Sequence, residues 1–178
     1  MDFYNTILTT SKTIALTQGI ESINIRLVAK QSGVSIGSVY NYFPSKIDLI
    51  MATVKEIWQQ MFDIQNVDFD NFNFLDCMEW FVSIITNCKT QYPNFFKGHS
   101  IIFAPSQKHK GKQMMDSFLN NIKKVLINVL DNDPNIRKDA FDSNLTKSIF
   151  IDYMFNLALT NKEKDFNPLL KLIKNSLY

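Results

Sequence analysis

Two breaks fall close together near the start of this chain: Gly33 interrupts one short apolar run of helical period, and Pro44 ends the next. Asn24 is a good N-cap before Ile25-Arg26-Leu27-Val28-Ala29-Lys30-Gln31, because its side-chain oxygen accepts from a free backbone N–H of the first turn. Gly33 supplies the positive φ of a tight turn, and Ser35 caps a second short helix over Ile36 to Phe43. Ala29 is small where two helices cross, and Val28, Val34 and Val39 fill the wedge between them. An amphipathic helix over residues 2 to 18, with Phe3, Ile7, Leu8, Ile14 and Ala15 on one stripe and Gly19 at its end, supplies a third wall. This spacing predicts a helix-turn-helix.

The second short helix then presents Ser35, Ile36, Gly37, Ser38, Tyr40 and Asn41 outward, with no Lys or Arg among them. Bidentate reading of guanine is therefore closed to this helix, which leaves Asn41 for adenine edges and Ile36 for thymine methyls. Phosphates can be held by the Ser38 hydroxyl, the Tyr40 and Tyr42 phenols, Lys46, and the free N–H groups where helices begin at Asn24 and Ser45. Ser45-Lys46-Ile47-Asp48 reads as a capping box that opens a longer helix to about Asp63.

Beyond that point the chain changes character. Only Phe3, Tyr4, Tyr40, Tyr42 and Phe43 among its aromatic side chains precede residue 50; the rest of the 15 Phe, 6 Tyr and 2 Trp follow. With 46% hydrophobic residues and only 5 Gly and 5 Pro, the remainder suits long helices around an apolar core. Asn- and Asp-rich residues 65 to 73 read as a loop packed by Phe69 and Phe72. Further helices are expected from Phe74 to Tyr92-Pro93, over 94 to 103, from after residue 112 to Asp131, within 136 to 161, and over 166 to 177. Trp58, Met61, Phe62, Trp80, Phe81, Ile84, Phe103, Phe118 and Tyr153 are the candidates for lining a cavity, which would suit an apolar or aromatic small molecule.

Other chemistry is poorly supported. Cys77 and Cys88 give no disulfide framework and read as buried small hydrophobes. His99 and His109 lack a second ligand at metal spacing, so no metal or cofactor is expected. Lys108-His109-Lys110-Gly111-Lys112 reads as a solvated loop ahead of a helix. No nucleophile triad, carboxylate pair, phosphate loop or zinc pattern appears, so an enzyme is not expected. The net charge of +2 neither demands nor excludes nucleic acid. No window reaches the length of a membrane span, and the N-terminus lacks the basic and apolar segments of a signal peptide, which points to the cytoplasm.

Residues 25 to 49 closely resemble the DNA-binding signature of the TetR/AcrR family of transcriptional regulators, through Val34-Ser35-x-Gly37-Ser38-x-Tyr40-x-Tyr42-Phe43-x-Ser45-Lys46-x-x-Leu49. The resemblance implies an all-α subunit, with a three-helix module over residues 1–48 and a larger effector-binding and dimerisation domain over 49–178, about nine helices together. It also implies a homodimer on a palindromic double-stranded DNA operator, released by a small-molecule effector, with the last two long helices forming a four-helix bundle between copies. By position, phosphate contacts fall on Ser38, Tyr40, Tyr42 and Lys46, and base reading on Ser35, Ile36, Gly37 and Asn41. Leu27 departs from the acidic residue common at that place, so Asn24 must cap its helix alone. The function implied is a ligand-responsive transcriptional regulator, read as a repressor. The alternative is a small-molecule sensor whose helix-turn-helix has ceased to bind DNA, which the lack of basic residues on the second short helix would suit.

Overall fold

A computed structural model of the chain describes residues 2–97, 108–160 and 165–178. Among them are nine α-helices and no strands: α1 (Phe3–Gln18), α2 (Ile25–Ser32), α3 (Ile36–Tyr42), α4 (Lys46–Phe62), α5 (Phe74–Gln91), α6 (Pro93–Lys97), α7 (Lys108–Asn132), α8 (Lys147–Thr160) and α9 (Asn167–Leu177). Short 3-10 turns at Ile20–Ser22 and Ile64–Asn66 complete the set. The all-helical expectation holds. The chain divides into two compact units, one from the described parts of Met1–Met61 and Cys88–Ser117, the other from those of Phe62–Asn87 and Phe118–Tyr178.

In the first unit, α1 packs against α2, α3 and α6. Its start is fixed by Asp2, whose carboxylate accepts from the Asn5 backbone N–H at 3.3 Å. Gly19 ends α1 at φ 98°, and Ile20 is fully buried beyond it. The core joins Ile7, Ile14 and Ala15 of α1 to Val28, Ala29, Val39, Leu49 and Val54. Within it, the buried Thr53 hydroxyl of α4 lies 2.8 Å from the Ser11 hydroxyl of α1 and donates to the Leu49 carbonyl. At the other end of α1, the Asn94 amide donates to the Thr17 carbonyl at 2.9 Å, satisfying one of the acceptors a helix C-terminus leaves open.

The second unit holds an aromatic ladder. Phe62 meets Trp80 edge-on at 6.0 Å and stacks on Phe81 at 5.6 Å, while Phe81 stacks on Phe155 at 4.8 Å. Phe69, in the loop before α5, packs edge-on against Phe72 and Trp80, as the sequence suggested for that segment. One buried carboxylate organises the far end of the sequence. Asp133 accepts from the Phe74 backbone N–H at 2.8 Å, the Asn135 N–H at 3.0 Å and the Tyr178 hydroxyl, so it caps α5 and ties it to the last residue of α9's flank. Burial alone would raise its pKa, but these donors together outweigh burial and hold it below the usual carboxylate value.

One expectation fails and another is narrowed. The segment Lys108 to Lys112 is not a loop before a helix but the opening of α7, since Lys is a good helix former and a lone Gly111 is too weak a breaker. The helix expected within 136 to 161 lies there as α8 but starts only at Lys147 and leaves out Leu145, because the Asp142 carboxylate accepts from the Asn144 and Leu145 N–H groups and holds a turn there. The helix expected over 94 to 103 is described only as α6, and its later residues lie outside the described ones. Cys77 and Cys88 are both buried on α5. Burial pushes the Cys88 thiol up to about 11, and burial with the nearby Asp76 charge pushes Cys77 up to about 12.

Candidate nucleic-acid interface

The geometry of α2 and α3 follows from their caps. The Asn24 side chain accepts from the Arg26 N–H at 2.9 Å, so this residue caps α2 without an acidic partner at Leu27. Gly33 takes up φ 68°, a left-handed conformation that lets the chain reverse between the helices. Ser35 accepts from the Ser38 N–H at 2.9 Å and starts α3. Next, Ser45 accepts from the Asp48 N–H at 3.2 Å and donates its hydroxyl to the Asp48 carboxylate, which fixes the start of α4.

These caps hold α3 with Val39 fully buried and Phe43 beneath its end, so the opposite face is forced outward. Ile36 is 44% exposed, Tyr40 49% and Tyr42 45%, and Asn24, Ser35, Gly37, Asn41 and Lys46 are also exposed, with Ser38 half-buried. Large apolar surface left open on a short helix is informative where hydroxyl and amide groups surround it. The Ser38 and Ser35 hydroxyls lie 2.8 Å apart. A phosphate has only acceptors, so Ser38 is free to donate outward when Ser35 supplies the proton to their shared bond. A methyl group at Gly37 would meet only Ser35 Oγ at 3.7 Å, an ordinary contact. Nothing within the chain therefore requires glycine there; what it provides is bare backbone on the exposed face.

The cavity candidates separate. Phe62, Trp80 and Phe81 come together in the aromatic ladder, whereas Trp58 packs edge-on against Phe95 at 6.0 Å in the first unit. Met61 and Ile84 are half-buried. Phe103 and the side chain of Phe118 lie outside the described residues, as do the side chains of His99 and His109. Tyr153 stands apart at 61% exposure, on the outer face of α8 with Ile149 and Leu157, and a side chain so open to water lines no interior of its own unit. Sequence reasoning missed Phe155, which is buried against Phe81 and has the Lys123 ammonium 5.4 Å from its ring centre, beside an ion pair from Lys123 to Asp152. The signal was the apolar series Phe150, Ile151, Met154, Phe155, Ala158. Among the described residues, no group of His, Cys, Asp or Glu is placed to hold a metal ion, and no helix is long and apolar enough to cross a membrane.

Comparison with known proteins adds to this geometry. The family model described as "Bacterial regulatory proteins, tetR family" matches residues 7–53, the stretch from α1 into α4. Residues 7–53 thus match the N-terminal module of that family. A curated relative, the HTH-type transcriptional repressor KstR of Rhodococcus jostii (strain RHA1), is 29% identical over 87 residues, which is 49% of this chain and 41% of that protein. Likeness of fold to solved structures reaches beyond that stretch. The multidrug binding protein EbrR complexed with imidazole gives a TM-score of 0.64 at 12% identity, covering 98% of this chain and 89% of that one. The transcriptional regulator FadR from Bacillus subtilis, in complex with stearoyl-CoA, gives 0.59 at 19% identity, covering 98% and 100%. At such identities the likeness is one of fold.

Proposed function

We propose that this protein is a homodimeric, DNA-binding transcriptional repressor that leaves a palindromic operator when an apolar or aromatic small molecule binds. The single observation behind the DNA-binding part is the inversion of α3, which buries Val39 and leaves Ile36, Tyr40 and Tyr42 open among Ser, Gly and Asn side chains. Such a face suits a major groove, with Asn41 and Ile36 toward bases, Gly37 allowing close approach, and Ser38, Tyr40, Tyr42, Lys46 and the α2 start at Asn24 toward phosphates. Kinship with a repressor, KstR, favours repression.

Effector binding is assigned to the region after residue 49, where Phe62, Trp80, Phe81 and Phe155 offer aromatic surface. Related folds that hold imidazole or stearoyl-CoA support a small-molecule role for that region. A shift of α4, which starts immediately after the DNA-facing residues, would change the spacing of two recognition helices that must match half-sites about 34–36 Å apart. The outer face of α8, with Ile149, Tyr153 and Leu157 all exposed, suits a second copy of the chain.

Titrating labelled duplex from the region upstream of the protein's own coding sequence, at several salt concentrations, tests the reading. Lys46→Ala should weaken all duplexes alike and lower the slope of log affinity against log salt by about one unit, while Asn41→Ala should relax preference at one base position. Failure of the wild-type protein to bind any duplex at low ionic strength would instead leave a small-molecule sensor.

A further inference from the structure

Tyr42 is the last residue of a seven-residue helix, and the chain is already extended at Phe43, φ −129°. A phenol at such a helix end is free to swing unless something outside the helix holds it. Tyr4 of α1 stands against it. The Tyr4 ring lies nearly flat on the buried Phe43 ring, 5.2 Å between centres at 22°, and meets Tyr42 edge-on at 6.1 Å and 67°. Both are favourable aromatic geometries. Tyr4 is itself anchored, because the first turn of α1 is closed by Asp2: the Asn5 N–H and amide donate to its carboxylate, and the Thr6 hydroxyl donates to its carbonyl. The result is a stack in which buried Phe43 supports half-exposed Tyr4, and Tyr4 supports half-exposed Tyr42.

We propose that Tyr4 is a positioning residue for duplex binding, whose ring braces the edge of Tyr42 so that the Tyr42 phenol is presented in one orientation to a backbone phosphate. This rests on the DNA-binding reading above. The benefit is preorganisation: a side chain already restricted in the free protein loses less freedom when it meets its partner. Tyr4 acts through Tyr42, so its effect should vanish when the Tyr42 hydroxyl is absent.

A double-mutant cycle makes this measurable, with fluorescence anisotropy on a mixed-sequence duplex of about 30 base pairs, long enough for two half-sites. Tyr4→Leu keeps apolar cover over Phe43 but removes the ring, and should weaken binding by about 2- to 10-fold, the range an aromatic pair accounts for. In a Tyr42→Phe background the same change should cost less than about 2-fold. Tyr4→Phe should restore wild-type affinity. An equal loss from Tyr4→Leu in both backgrounds, or a loss from Tyr4→Phe as large as from Tyr4→Leu, would overturn the proposal. In the free protein, the Tyr42 ring resonances should move toward averaged values in Tyr4→Leu at unchanged far-ultraviolet circular dichroism. Unmoved resonances would overturn the brace even if no duplex were bound, whereas moved resonances without binding would overturn the DNA reading alone.

Discussion

The outward faces of α3 and α8 both leave large apolar side chains in water, yet they differ in what stands between those side chains. On α3 the gaps between Ile36, Tyr40 and Tyr42 hold Gly37, Ser38 and Asn41, and two of the three large groups end in a phenol. On α8, Ile149, Tyr153 and Leu157 follow one another at four-residue steps, so their side chains form one stripe, with only the Tyr153 phenol to break its apolar character. Hydrogen-bonding groups interleaved with apolar ones match a ligand that is itself both charged and stacked. A stripe so nearly apolar matches another apolar surface. The lesson is that exposure alone does not name a partner; the neighbours of each exposed group do.

The comparison breaks most decisively if a charge is placed on each face in turn. Ile149→Asp with Leu157→Asp should raise the dimer dissociation constant by at least about 100-fold, since each lost apolar burial is counted twice across a symmetric interface. Light scattering after size exclusion reads this, and the far-ultraviolet spectrum should stay unchanged. Ile36→Asp should do the reverse, abolishing duplex binding while leaving the mass of the assembly alone. If either substitution produced the other's effect, the assignment of the two faces would be wrong.

The two units also differ in the polar groups they bury. The first has the neutral Ser11–Thr53 pair; the second has Asp133. Asp133→Ala should destabilise the second unit by about 2–3 kcal/mol, because the Phe74 N–H and the Tyr178 hydroxyl lose a charged acceptor. The sign of the pH effect follows from its lowered pKa: the support is complete above the unfolded value near 3.8 and is lost as pH falls through the lower folded value. Acid should therefore loosen the second unit first. Single-tryptophan variants distinguish the units, with Trp58 in one and Trp80 in the other. Thr53→Val, which strands the Ser11 hydroxyl, should cost about 1–2 kcal/mol in the first unit and show no change in acid response.

The smallest effect sharpens the comparison most. Gly37→Ala places a methyl group where the chain itself has room, and should stabilise α3 by about 0.5–1 kcal/mol in urea unfolding. Its duplex affinity should nevertheless fall. A variant that gained both stability and affinity would show that nothing approaches the backbone there.

Much of this was legible in the sequence where one residue decides one geometry. Asn24, Gly33, Ser35 and the pair Ser45 and Asp48 each take up the capping or turning role their chemistry prescribes, which fixed α2, α3 and the start of α4 to within a residue. Legibility failed where several residues compete. Phe141 and Leu145 stand one helical step apart, but the Asp142 turn between them outweighs it. On α8, apolar residues lie nearly all round, so periodicity could not tell the buried face of Phe155 from the open face of Tyr153. Tyr4 escaped notice because ring stacking between residues so far apart in sequence leaves no local pattern.

The two thiols of α5 have a practical corollary. With so little thiolate at neutral pH, neither should react with an alkylating dye until the helix around it opens. Cys77 belongs to one unit and Cys88 to the other, so the order in which mass spectrometry finds them modified would time the breathing of each half of the molecule without introducing a single foreign probe.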